Sequence, residues 1–162
     1  MHYKTKTFSL WKNFKHKPFD KLHRSESTQV CIVGAGISGL SIAYQLLKAG
    51  KQVIVLDKEL GLSGETALTT AHISNALDDG YANLENIHGK TGSFLAANSH
   101  TEAIKIIEKI IQDEQIECDF SYLDGYLITG KNHDTDFLKK ERNACFDAGL
   151  KEVHLVDKIE NL

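Results

Sequence analysis

The chain has 162 residues, 41% hydrophobic and 25% charged, enough for one domain with its own core and within the ordinary globular range. Its net charge is only −3, which argues against nucleic acid as a default partner. No apolar run approaches the roughly 20 residues that span a bilayer, and no compact apolar stretch near the N-terminus has the form of a signal peptide.

The charge is unevenly spread. Residues 1–27 hold Lys4, Lys6, Lys12, Lys15, Lys17, Lys21 and Arg24 against Asp20 and Glu26, a net of +5, so the remainder carries −8. Phe8, Trp11, Phe14, Phe19 and the only proline, Pro18, fall in the same stretch. It is predicted to be a basic arm lying across a domain surface, with Trp11 and the phenylalanines tucked into grooves. Contact with an anionic lipid or a nucleic acid is the weaker reading, because cations and aromatics share no regular face. Cys31, Cys118 and Cys145 are odd in number and form no CxxC pair, so they are read as reduced thiols of a cytoplasmic protein. Cys31 reads as a small buried apolar residue.

The chain is organised around Gln29–Asp57. Val30-Cys31-Ile32-Val33 is apolar and mostly β-branched, the pattern of a parallel strand buried on both faces. Gly34, Gly36 and Gly39 follow, then Leu40, Ala43, Tyr44, Leu46 and Leu47 at helical spacing, with Gly50 as the stop. Val53–Leu56 is a second apolar run and closes on Asp57. This is one right-handed βαβ unit. Gly34 permits the tight turn, Gly36 leaves room for a pyrophosphate against the backbone, and Gly39 lets the helix approach the strand. The helix N-terminus supplies free N–H groups and the positive end of its dipole. Asp57 lies 18 residues after Gly39, close to the spacing of about 20 at which a carboxylate meets ribose hydroxyls. A lone GxGxxG is weak evidence. Strand, helix and acid at the right distances turn it into a dinucleotide-binding fingerprint. The acid disfavours a 2′-phosphate and so NADP; FAD and NAD stay open.

Lys58–Thr66 is a loop, and the small, hydroxyl-rich stretch Ala67–Asn75 follows. In a dinucleotide fold this region lies near the sheet edge where ligands bind, so Thr69, Thr70, His72 and Ser74 are candidates to face a cofactor. Local capping of turns is the competing role. Asp78-Asp79-Gly80 is a turn, Tyr81–His88 a short helix punctuated by Gly89, and Thr91–Asp113 a longer helix with its stripe from Phe94 to Ile111. Ile116–Phe120, Gly125–Thr129 and Val153–Val156 are predicted strands. Asp134 or Thr135 caps a helix that runs to about Ala148 and stops at Gly149. Asp157 looks like the cap of a further helix. The histidines show no metal spacing, and no nucleophile motif is present.

Three stretches, VCIVGAGISGLSIAYQLLKAGKQVIVLDK, SGETALTTAHISNALDDGY and IECDFSYLDGYLITG, resemble FAD-dependent oxidoreductases of the D-amino-acid oxidase and glycine oxidase type. The last two are most similar to a bacterial subgroup carrying a C-terminal Rieske iron–sulfur domain. The likeness runs through most of residues 8–160. It implies an α/β fold: a Rossmann-like FAD-binding βαβ segment over residues 28–80, then helices and strands of a partial α+β substrate domain over 81–162. It also implies that Gly34, Ala35, Gly36, Ile37, Ser38 and Gly39 hold the pyrophosphate. Asp57 and Lys58 would lie by the adenosine ribose, and Thr66 to His72, Thr70 among them, would pass the pyrophosphate and flavin. The implied chemistry is hydride removal from an amine or amino acid, with FAD as acceptor.

The chain departs from the family pattern in two ways. Ala67-Leu68 stands where relatives commonly have Gly-Arg, and Leu68 cannot form the covalent flavin link that a histidine near this position makes, so FAD is expected to be non-covalent. The chain is also much shorter than family members and is read as a fragment or truncated product, inactive as an enzyme by itself, any Rieske 2Fe-2S ligands belonging to a missing region. The competing readings are a non-catalytic nucleotide-binding product and an NAD-dependent dehydrogenase. Substrate, catalytic residues and oligomeric state are not legible.

Overall fold

The computed structural model describes residues 9–13, 19–59, 64–130 and 135–159; Phe8, Phe14, Pro18, the loop residues 60–63 and the candidate cap Asp134 lie outside them. The chain divides into two compact units, Met1–His72 and Ile73–Leu162.

In the first unit, β1 (Val30–Val33) and β2 (Val53–Leu56) pair in parallel, with Val30 opposite Val53 and Val33 opposite Leu56. Gln52 closes the start of the ladder: its carbonyl accepts from the Thr28 hydroxyl at 2.9 Å, and its N–H donates to the Gln29 side chain at 2.9 Å. The crossover between the strands is α1 (Ile37–Lys48). Ala43 is its buried residue, and Gly50, with its N–H on the Leu47 carbonyl at 2.9 Å, ends it as predicted. A short 3-10 turn, Glu65–Leu68, follows β2.

One expectation fails here. β1 is covered on one side only: Val30 and Ile32 are half-buried, whereas Cys31 and Val33 are exposed, Val33 by 85%. α1 covers the face that carries Ile32, and among the described residues of this unit no element covers the other. Cys31 is therefore an exposed thiol, not a buried one. In the arm, Trp11 lies in a 3-10 turn, Leu10–Asn13, but Phe19 is 92% exposed and occupies no groove.

The second unit is built on two helices. α2 (Tyr81–Asp113) is interrupted at Gly89, whose φ of 70° and ψ of 174° are non-helical, so the expected short and long helices meet at a kink. α3 (Thr135–Asp147) packs against α2, and Gly149 follows it. Tyr81, Ala97, Ala144, Cys145 and Ala148 form the core, flanked by Leu77, Ala82, Leu84, Leu150 and Val153. The Tyr81 hydroxyl donates to the Asn75 carbonyl at 2.5 Å, and the Asn75 amide donates to Thr101 at 3.1 Å.

The predicted strands Ile116–Phe120, Gly125–Thr129 and Val153–Val156 do not form. A strand exists only through a ladder partner, and these segments have none among the described residues. Gln115 and Asp119, at φ of 54° and 52°, also break the extended run around Ile116–Phe120. Apolar side chains that suggested strands, among them Ile116, Tyr126, Leu127, Ile128, Leu155 and Val156, remain exposed.

Candidate dinucleotide site

The glycine loop sits where β1 hands over to α1. Gly34 turns the chain at a φ of 112°, and its N–H donates to the Leu56 carbonyl at 2.7 Å, which extends the β1–β2 ladder by one bond. Gly39 stands so close to β1 that a Cβ there would lie 2.0 Å from the Gly34 carbonyl oxygen and 3.3 Å from Ile32 Cγ2. Only a residue without a side chain lets the helix enter at this height. A Cβ on Gly36 would instead meet the Thr66 hydroxyl at 3.3 Å.

Two side chains hold the loop. Asp57, at the end of β2, accepts the Ala35 N–H on Oδ2 at 2.5 Å and the Glu59 N–H on Oδ1 at 2.8 Å. These two donors, with smaller help from the neighbouring Lys58 ammonium, hold the carboxyl below its ordinary value of 3.8. The acid read from spacing alone as a ribose contact is thus first a brace between β2 and the glycine loop. Each carboxylate oxygen keeps a further lone pair for a hydroxyl donor.

Thr66 is the second brace. No side chain caps α1, because its N-cap is Gly36. The Thr66 hydroxyl fills this role from the 3-10 turn, accepting the Ile37 N–H at 3.0 Å. While it accepts there, its own O–H can donate to a ligand oxygen. Helix geometry leaves the N–H groups of Ser38 and Gly39 without partners one turn back. The N-terminus of α1 therefore presents backbone donors, a hydroxyl and the positive end of a helix dipole around a glycine whose missing side chain leaves a cradle. That donor set fits a phosphate group.

The other expected residues are less closely tied to this cradle. Lys58 is exposed directly after Asp57. Thr69 and Thr70 make local turns, their hydroxyls accepting the Ala71 N–H at 3.1 Å and the His72 N–H at 3.4 Å. Among the described residues no hydrogen bond joins Thr70 or His72 to the glycine loop. One contact was not expected: the indole N–H of Trp11 donates to the Thr69 carbonyl at 2.7 Å. Nothing in the sequence between these residues, 58 positions apart, signals this bond.

The second unit has its own cluster of titratable groups. Glu141, on α3, is buried and accepts the N–H groups of Tyr81 at 2.5 Å and Ala82 at 2.9 Å, capping α2 where Gly80 offers no side chain. Burial first, and then the Glu141 carboxylate, pushes the Cys145 thiol up to about 12. Burial, with Cys145 and Glu141 beside it, pushes the Tyr81 hydroxyl to about 12 as well. A thiol so raised is not a nucleophile at neutral pH. This cluster holds two helices together. Among the described residues no His, Cys, Asp and Glu group could hold a metal, and no helix is long and apolar enough to cross a membrane.

The chain is 30% identical over 144 residues to YhfW of Bacillus subtilis, which is named as a Rieske 2Fe-2S iron-sulfur protein; the match covers 88% of this chain and 28% of that one. It is 28% identical over 140 residues to the oxidoreductase OrdL of Haemophilus influenzae, covering 86% of this chain and 32% of the relative. It is 27% identical over 143 residues to the gamma-glutamylputrescine oxidoreductase of Escherichia coli, covering 88% and 33%. The chain thus spans about a third of the length of these relatives. No solved structure matches it with significance. Residues 29–162 match the profile of the FAD dependent oxidoreductase (DAO) family, and the chain belongs to that family.

Proposed function

We propose that this chain supplies the FAD-binding segment of a flavin-dependent oxidoreductase that takes a hydride from an amine or amino acid. The observation that carries the reading is the β1–loop–α1–β2 geometry. Gly39 brings the helix against the strand, Gly36 keeps the cradle open, and Asp57 and Thr66 hold the loop from either side. In this reading the backbone of Gly34–Gly39 and the Thr66 hydroxyl bind the FAD pyrophosphate. Asp57 receives the adenosine ribose on its remaining lone pairs, Lys58 lies beside it, and Thr70 and His72 follow the cofactor outward. Leu68 offers no nucleophile, so the cofactor is held without a covalent bond. FAD when bound supplies the hydride acceptor; the residues of this chain bind and orient it.

Two relatives support the substrate class. One is named a gamma-glutamylputrescine oxidoreductase. Another, from Rhizobium rhizogenes, is named a D-amino acid dehydrogenase and is 46% identical over 43 residues, 26% of this chain and 10% of its own length. The test is anaerobic mixing of the FAD-loaded whole protein with a panel of amines and amino acids, because this chain by itself is expected to be inactive. The proposal expects at least one to bleach the oxidised flavin spectrum. Bleaching by NADH alone, with no amine effective, would point to nicotinamide chemistry instead.

A further inference from the structure

We propose that Trp11 is a positioning residue for the cofactor loop: its indole N–H latches the segment Gly64–His72, and with it Thr66, over the N-terminus of α1. The inference rests on the FAD reading above and adds to it a role for the N-terminal arm. Three observations on different residues carry it. The Trp11 indole donates to the Thr69 carbonyl at 2.7 Å. The 3-10 turn that contains Trp11 packs on the 3-10 turn Glu65–Leu68. Thr66, in that second turn, accepts the Ile37 N–H at 3.0 Å and lies 3.3 Å from where a Gly36 side chain would begin.

The loop has little else to hold it. Ala67 is its only buried side chain among the described residues, so apolar burial fixes it weakly. Its hydrogen bonds to Ala67, Ala71 and His72 N–H are all local turns. They shape the loop without fixing where it lies. The bond from Trp11 ties it to a distant part of the chain on one side, and the bond from Ile37 ties it to α1 on the other. If the first is lost, the hydroxyl is less often at the helix terminus, and the phosphate cradle loses a preorganised donor.

The latch is tested by replacing Trp11 with β-(3-benzothienyl)alanine, which keeps the bicyclic ring and loses the N–H, alongside Trp11→Phe. Amide hydrogen exchange in the FAD-free protein is the first readout, and FAD Kd the second. Loss of one hydrogen bond of ordinary strength should speed exchange at Ile37 and Ala67 about threefold to tenfold. Exchange at Ala82, held by Glu141 in the other unit, should stay as in wild type. FAD Kd should rise by a similar factor. Unchanged exchange at Ile37 and Ala67 overturns the latch. Faster exchange with unchanged FAD Kd overturns its role toward the cofactor. A wild-type protein that binds no FAD overturns the FAD reading itself, and the exchange data then still decide whether the latch exists. The benzothienyl variant decides the matter if Trp11→Phe does not fold.

Discussion

Replacing Gly39 by alanine tests how closely α1 approaches β1. The added Cβ would lie 2.0 Å from the Gly34 carbonyl oxygen and 3.1 Å from its carbon, whereas ordinary contact begins at 3.4 Å. Helix or carbonyl must therefore retreat by about 1.4 Å. No rotamer change can relieve this, because the opposing atoms are backbone. The retreat also pulls on the Gly34 N–H bond to Leu56, 2.7 Å long. Overpacking of side chains costs about 1–3 kcal/mol, and backbone overlap belongs at the upper end, so about 3 kcal/mol is expected. With a urea m-value of about 1–3 kcal/mol/M, the unfolding midpoint should fall by about 1–3 M. Trp11 fluorescence follows the unit that contains the loop. Gly64→Ala is the control: a Cβ there meets nothing within 4 Å. A Gly39→Ala midpoint equal to that of wild type would refute the close approach.

Three further outcomes are expected. Glu141→Ala leaves the Tyr81 and Ala82 N–H groups without their buried acceptor and should cost about 2–4 kcal/mol in denaturant unfolding of the α2–α3 unit; a loss under about 0.5 kcal/mol would show that water replaces the cap. Ser93 is buried with its hydroxyl lacking any partner among the described residues, so Ser93→Ala should be neutral or stabilising by up to about 1 kcal/mol, and a clear destabilisation would reveal an unseen hydrogen bond. The Asp57 carboxyl is lowered on folding, so the stability it contributes is present above its ordinary value of 3.8 and is lost as the pH falls through the lower folded value. Asp57→Asn should therefore flatten the acid limb of the stability-against-pH curve, and an unaltered limb would remove the brace role.

The βαβ unit was legible because its determinants are local. Gly34, Gly36 and Gly39 mark the turn, Gly50 the helix end and Asp57 the end of β2, all within 24 residues of one another. Helix stops at Gly89 and Gly149 were legible for the same reason. What failed depends on contacts between residues far apart. Ile116–Phe120 and Gly125–Thr129 have strand composition, yet a strand needs a partner, and composition does not name one. Cys31 looked buried because its neighbours are apolar, but burial is decided by what covers that face. The brace of Asp57 on Ala35 spans 22 residues, the cap of Glu141 on Tyr81 spans 60, and the bond from Trp11 to Thr69 spans 58. In each case the sequence displays the donor or acceptor but not its partner. The glycines and Asp57 were found by pattern and Thr66 was implied by the resemblance, while its bond to the Ile37 N–H came from the fold.

The central claim is that the glycine loop receives the pyrophosphate of FAD, and a flavin titration of wild type against Gly36→Val tests it most directly. The Cβ of the substituted residue meets only the flexible Thr66 hydroxyl, at 3.3 Å, so the protein should fold, while the two branching methyls fill the cradle. In the whole protein, wild type should retain FAD through gel filtration, and folded Gly36→Val should retain none. Equal flavin content in the two folded proteins, or none in wild type, would contradict the account.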